Sequence, residues 1–448
     1  MRLFLVIFSI VLIFSISIFA QESVTLSLDK ATELAFVNNA SIIQAQNDAD
    51  AAGSGVLAAY GSYLPTISAS GGWNRSQNDQ AAGERAYQGL VQTFPAIFSV
   101  RNSFSTGINA RYTIFDGLRR ESNFARASAS ANSSDYGSIR MKQTIRFQIG
   151  AAYLNVLRLE QLVKVSEENL KRDNRQLERI TESNRIGALS LADVYRQQSQ
   201  VAADELSVIN AQNNYDKAKA DLVALIGLDM TKKYEFIDPG ISTNVDQSEL
   251  NDVQNKISSI DEYTKRALSS RPDYLAVTEN LNYSEAGVTS AWGGYLPSVT
   301  ASASYDLGAV EFSKMKDNKT ISWGIGLSWN IFDGFLTNQS IQTARANKKN
   351  VETKLRQAGR DIIVEIQKVL LDLEAAKKQV EVSHKGLQSA TEDRKIAEER
   401  YNLGAGTLLD LLTANAGLIN AEANNINASY FYNTTKRNLE YVLGERNN

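Results

Sequence analysis

Gly61-Ser62-Tyr63-Leu64-Pro65 returns as Gly293-Gly294-Tyr295-Leu296-Pro297, and Ile114-Phe115-Asp116-Gly117 returns as Ile331-Phe332-Asp333-Gly334. A repeat of this kind is read before local structure, because it sets the unit from which the fold is built. The offset between copies is 232 at the prolines (297 − 65) and 217 at the aspartates (333 − 116). Gly187 and Gly404, and Gly227 and Gly444, keep the offset of 217. The first copy is therefore longer by 15 (232 less 217) between its Pro and its Asp-Gly, in the stretch 74–102. Length variation confined to one place predicts an exposed loop at a hairpin tip.

The residues between these markers alternate. Ile67, Ala69, Gly71 and Trp73 oppose Thr66, Ser68 and Ser70, and after Pro297 come Val299, Ala301, Ala303, Tyr305 and Leu307 against Ser298, Thr300, Ser302 and Ser304. The returning strands agree: Phe104, Ile108, Ala110, Tyr112 and Ile114 in copy one, Trp323, Ile325, Leu327, Trp329 and Ile331 in copy two. Strands of about ten residues, apolar on one face and small and polar on the other, fit a transmembrane β-barrel with lipid outside and water inside. Trp73, Trp323 and Trp329 fall on the lipid side, as interfacial aromatics do. A soluble sheet covered by a core is the alternative, but no separate apolar domain is present to cover it. Four strands cannot close a barrel, and open edges are not tolerated in lipid. Closure needs several chains, and three would supply about 12 strands.

Between the hairpins the pattern is helical. From Leu118 to Asn184 there is no proline, a helix path on the order of 100 Å. Ile145, Ile149, Ala152, Val156, Leu159, Val163, Ser166 and Leu170 alternate spacings of four and three, the seam of coiled-coil packing. Adding 217 to each number gives Ile362, Ile366, Val369, Leu373, Ala376, Val380, Ser383 and Leu387, the same seam in copy two. Val194, Val201, Val208, Tyr215 and Leu222 recur every seven residues, as do Leu411, Leu418, Asn425, Tyr432 and Leu439. A narrow seam with polar flanks predicts helices side by side in a hollow wall. A dimeric coiled coil would not explain the fused membrane-type hairpins. Gly187 and Gly404 interrupt the pattern and predict chain reversals at the far helix ends. Asp116 and Asp333 are placed to cap the helices that follow their strands.

Residues 1–20 read as a secretory signal peptide: Arg2, then an apolar run from Leu3 to Phe19, then Ala20-Gln21 as cleavage point. A membrane-anchoring helix is the alternative reading of that run. The rest divides into repeat one, 21–228 with its hairpin at 66–115, a polar linker, 229–261, and repeat two, 262–448 with its hairpin at 298–332. In the linker, Asp238-Pro239-Gly240 signals a turn. There is no cysteine, which excludes a lipoprotein anchor, disulfides and thiolate chemistry. A net charge of −3 with no strongly basic region argues against nucleic acid as a partner. No paired carboxylates, metal-ligand spacing or nucleophile motif stands out, and the single histidine, His384, lies mid-helix. Neither enzyme activity nor a cofactor is expected.

The chain resembles the TolC-like outer-membrane efflux family. The matching motifs are Tyr-Leu-Pro before the first and third strands, Phe-Asp-Gly after the second and fourth, and Arg271-Pro272-Asp273. The helix turns also match, over Gly187-Ala188-Leu189-Ser190-Leu191-Ala192-Asp193-Val194 and from Tyr401 to Leu411. The resemblance covers the chain from about Leu28 to Gly444. It implies an α+β membrane protein of two tandem repeats, forming a homotrimer whose 12-stranded β-barrel in the outer membrane continues into a 12-helix α-barrel in the periplasm. It implies an exit duct for drugs or secreted molecules, working with an inner-membrane pump and a periplasmic adaptor that meets the turns at Gly187 and Gly404. It also implies a periplasmic aperture at Asp193, Tyr401 and Asp410. Gly406 stands at the family's aperture Arg position, Thr413 at its second ring Asp, and Asn184 where a Tyr is expected. Pro65, Asp116, Gly117, Pro297, Asp333 and Gly334 mark the strand-helix junctions. A periplasm-spanning tether or adhesin without transport is the competing function.

Overall fold

A computed structural model describes residues 24–87, 89–237 and 260–444. The expected signal peptide and the turn at 238–240 lie outside the described residues. In chain order the elements are β1 (Val24–Leu26), α1 (Leu28–Asn38), α2 (Ala40–Gly61), β2 (Thr66–Gln80), β3 (Gly83–Tyr87), β4 (Leu90–Phe94), β5 (Ile97–Phe115), α3 (Arg119–Arg185) and α4 (Leu191–Ile226). There follow β6 (Tyr234–Phe236), α5 (Ile260–Ser270), α6 (Pro272–Trp292), β7 (Ser298–Ala309), β8 (Lys319–Ser328), α7 (Leu336–Asn402) and α8 (Leu408–Val442). Helices α3 and α7 each have 67 residues, and their bounds differ by 217 at both ends. The chain divides into two units: 1–47, 135–275 and 357–448 form one, 48–134 and 276–356 the other.

The second unit holds a four-stranded antiparallel sheet in the order β2-β5-β7-β8. Register places the alternating residues as their sequence demands. Ile67 faces Ala110, Ile108 faces Tyr305, and Tyr305 faces Ile321, all on one side. Ser68–Asn109, Asn109–Ser304 and Ser304–Ser322 line the other. The apolar side is bare in the single chain, with Trp323 84% and Ile325 72% exposed. Neither β2 nor β8 has a second strand partner among the described residues.

Three local features differ from the alternation pattern. The pairing of β5 with β7 shifts between Thr113 and Phe115, so a bulge takes up Ile114 and puts Phe115 opposite Val299. Strand β8 stops at Ser328, short of the expected end at 332, and Trp329 donates its indole N–H to the Tyr295 carbonyl at 3.0 Å. The extra length of copy one is not an irregular loop: β2 and β5 stay paired out to Gln80 and Ile97, and β3 pairs with β4 beyond them.

The first unit is held by the helical seams. Ile149, Tyr153, Leu154 and Leu157 are fully buried with Leu222 and Ile226, and Ile366 and Leu373 are buried in a second cluster with Tyr432 and Leu439. Each such side chain contributes about 1.5–3 kcal/mol by leaving water. The start of the polar linker is also ordered. Strand β6 pairs in parallel with β1, and Tyr153 from α3 donates its hydroxyl to the carbonyls of Leu26 and Ile237.

Candidate functional site: helix-turn tips and strand-helix junctions

At the first tip, helix α3 ends in a left-handed residue, Gly187, at φ +78°. Its N–H bonds to the Asn184 carbonyl at 2.9 Å, and that of Ala188 reaches Ser183 at 2.8 Å. The second tip copies this: Gly404 at φ +71° bonds to Tyr401 at 3.0 Å, and Ala405 to Arg400 at 2.8 Å. These paired bonds satisfy the last helical carbonyls and turn the chain. Space around both glycines is open, with nothing within 4 Å of where a Cβ would stand. Ile186, Leu191, Leu403 and Leu409 project into solvent around them.

The returning helices are capped by their own acids. Ser190 accepts the Asp193 N–H at 3.2 Å and donates its hydroxyl to Asp193 Oδ2 at 2.7 Å. Thr407 and Asp410 form a reciprocal cap: Asp410 N–H to Thr407 Oγ1 at 3.2 Å, and Thr407 N–H to Asp410 Oδ2 at 3.0 Å. The backbone and hydroxyl bonds from Thr407 hold the Asp410 carboxyl below its ordinary range.

Behind the caps, Ile180, Val194 and Leu408 pack together with Leu189, Tyr401 and Leu412. The structure thus brings Tyr401 to the α3–α4 tip. Burial pushes its phenol up, and the nearby Asp193 charge adds to that. Asp410 is exposed, held in its own cap rather than in this cluster. Asn184 donates to the Leu189 carbonyl at 2.8 Å and so braces the first turn. At Gly406 a Cβ would stand 3.2 Å from Arg400 Cβ and 3.3 Å from the Tyr401 nitrogen, so the absence of a side chain lets the turn close on the helix end. Thr413 returns its hydroxyl to the Leu409 carbonyl.

In the second unit the two junctions share a proline before the strand and an aspartate cap after it. Pro65 and Pro297 stand just before β2 and β7, where a missing N–H costs no ladder bond. Asp116 Oδ1 accepts the N–H groups of Arg119 and Arg120 at 3.1 and 3.4 Å. Asp333 Oδ2 accepts from the Thr337 N–H at 2.8 Å and from its hydroxyl. Each is followed by two left-handed residues, Gly117 with Leu118 and Gly334 with Phe335. A Cβ on Gly117 would run into the Gly293 carbonyl oxygen at 2.6 Å.

Some polar residues of the α3–α4 seam carry no motif. Asn169, Asp173, Gln176, Gln197 and Asp204 are all buried. Continuing the four-three spacing from Val163 and Ser166 past Leu170 reaches Asp173, the one signal that could have found it.

A profile of the family described as Outer membrane efflux protein matches residues 31–228 and 264–445. The outer membrane protein TolC of Escherichia coli strain K12 is 23% identical over 318 residues, covering 68% of this chain and 62% of the relative. This chain thus matches less than two thirds of that relative's length. The outer membrane efflux protein BepC of Brucella suis biovar 1 is 26% identical over 441 residues, covering 95% of this chain and 88% of the relative. The crystal structure of the Campylobacter jejuni CmeC outer membrane channel superposes with a TM-score of 0.76 at 19% identity, over 93% of this chain and 85% of that one. The chain therefore belongs to the outer membrane efflux protein family and is an outer-membrane protein of the TolC type.

Proposed function

We propose that three copies of this chain assemble into an exit duct for a tripartite efflux or type I secretion system. The observation that carries this is the sheet: apolar on one face, small and polar on the other, and open at β2 and β8. An open edge in lipid leaves backbone groups unsatisfied, so the β8 edge of one copy meets the β2 edge of the next, and about 12 strands close the ring. The long helices continue the duct into the periplasm as a 12-helix wall. The exposed apolar residues around Gly187 and Gly404 are the surface on which a periplasmic adaptor docks, itself joined to an inner-membrane pump. Asp193, Tyr401 and Asp410 border the periplasmic aperture.

The test joins mass to conductance. Detergent-solubilised protein should have about three times the chain mass, and in planar bilayers it should carry ions. A stable monomer would overturn the barrel; a trimer that leaves bilayers sealed would favour a tether.

A further inference from the structure

The seam between α3 and α4 contains two carboxyl groups facing each other. Asp173 on α3 is 2% exposed and Asp204 on α4 is 5% exposed, and the side chains lie within hydrogen-bonding reach. Donors are few. Asn415 Nδ2 of α8 reaches Asp173 Oδ1 at 3.4 Å, and Gln200 Nε2 reaches Asp204 Oδ1 at 3.0 Å. Asp204 Oδ2 is buried and receives no N–H or hydroxyl from the described residues. A buried carboxylate oxygen without a donor is costly. A proton on Asp173 supplies that donor.

The surrounding charges do not remove the need for it. Arg172 on the same helix and Arg394 on α7 favour an ionised Asp173. Arg394, however, is engaged with Asn415 Oδ1 at 3.1 Å and Glu398 at 2.7 Å. Both guanidiniums also act on Glu422 of α8. Burial and the Asp204 carboxyl outweigh them and push Asp173 up to about 7. The second repeat has neither acid: at the offset of 217, Ala390 and Ala421 stand in the places of Asp173 and Asp204.

We propose that a proton on Asp173 bridges to the Asp204 carboxyl and forms a pH-sensitive latch between α3 and α4, closed while Asp173 is protonated and loosened once it ionises. Asp173 precedes Gly187 by about four helical turns, on the order of 20 Å, so the latch sits behind the packed tip. Asn415 and Arg394 extend the same polar chain to α8 and α7, so the pair is joined to all four long helices. The sign follows from the raised folded value. The latch is at full strength below the ordinary carboxylate range, weakens as pH rises, and is lost above about pH 7.

Amide hydrogen exchange on the full detergent-solubilised protein tests this without requiring transport. After correction for intrinsic rates, opening of the segments 170–176 and 197–207 should rise on the order of tenfold from about pH 6 to about pH 8. The segment 362–373 should not change. Asp173→Asn, and the double variant Asp173→Ala with Asp204→Ala, should abolish the pH dependence. Difference infrared spectra should show a protonated carboxylic acid that disappears through neutrality and is missing from Asp173→Asn. Exchange independent of pH, or no such band, would overturn the proposal. So would restored protection at about pH 8 on adding calcium to the wild-type protein but not to the double variant, since the pair would then be a cation bridge.

Discussion

Arg271 and Glu365, 94 residues apart in the chain, meet in a 2.5 Å ion pair at a guanidinium that is almost fully buried. The same guanidinium bonds to Asp273 at 2.7 Å and to the Val442 carbonyl at 3.0 Å. Arg140 approaches Asp273 at 3.5 Å and lies over the Tyr441 ring. One side chain thus ties the start of α6 to α7 and to the end of α8, with α3 adjoining.

Arg271→Ala takes one donor from two partly exposed carboxylates and from the Val442 carbonyl, a loss of about 1–3 kcal/mol. Arg271→Lys keeps the charge but not the fork and should cost less. Burial pushes Asp273 up, but the Arg271 bonds and the Arg140 charge outweigh it and hold the carboxyl low. A depressed folded value gives stability that is present above the ordinary carboxylate range and lost as pH falls through the folded value. Thermal melts should show the advantage of wild type over Arg271→Ala greatest near neutrality and shrinking as pH falls below the ordinary carboxylate range. A difference in melting temperature that does not change with pH would contradict this account.

Tyr153→Phe should loosen the β1–β6 pair while leaving the helical seam intact. Its hydroxyl reaches the buried Leu26 carbonyl and the half-buried Ile237 carbonyl, and losing that donor costs about 1–3 kcal/mol. Faster amide exchange confined to 24–26 and 234–237 is the expected readout.

Gly187→Trp and Gly404→Trp should abolish efflux while the protein still assembles in the outer membrane. Open space surrounds both positions, so the indole fits, and a side chain in the left-handed region costs only about 1–2 kcal/mol. The bulk falls on the surface assigned to the adaptor. Full transport by either variant would place docking elsewhere.

Asp410→Asn and Asp410→Ala separate a charge from a cap. Asparagine can still accept the Thr407 N–H, whereas alanine cannot and loses the reciprocal cap. If Asp410 borders the aperture, both variants lower cation selectivity in bilayer recordings. Loss of helix stability in the alanine variant alone, with selectivity unchanged in both, would leave Asp410 as a cap only.

The sheet was legible because side chains alternate with period two, so Ile67, Tyr305 and Trp323 had to share a face once any one of them was placed. The bulge at Ile114 was not legible, because one extra residue in a ladder leaves no compositional mark. The long helices and their turns followed from the seam and from Gly187 and Gly404. Asp173 and Asp204 escaped because polar residues in a helix read as solvated; for Asp173 only its place in the four-three seam marked it as buried. The extended hairpin of copy one escaped for another reason: Gly83, Gly89 and Pro95 interrupt the stretch from Gln80 to Ile97 and leave no long alternation to read, while cross-strand pairing orders it.

The two bare edges of the sheet are unlike each other: β2 at one side, β8 at the other. Contacts between unlike edges run head to tail, so a ring has no closed intermediate smaller than itself. In a cell making normal chain and a β8-edge variant in equal amounts, only roughly one in eight three-membered rings would be free of the variant. A defect at that edge should therefore behave genetically as dominant, even though the altered chain folds its own helices correctly.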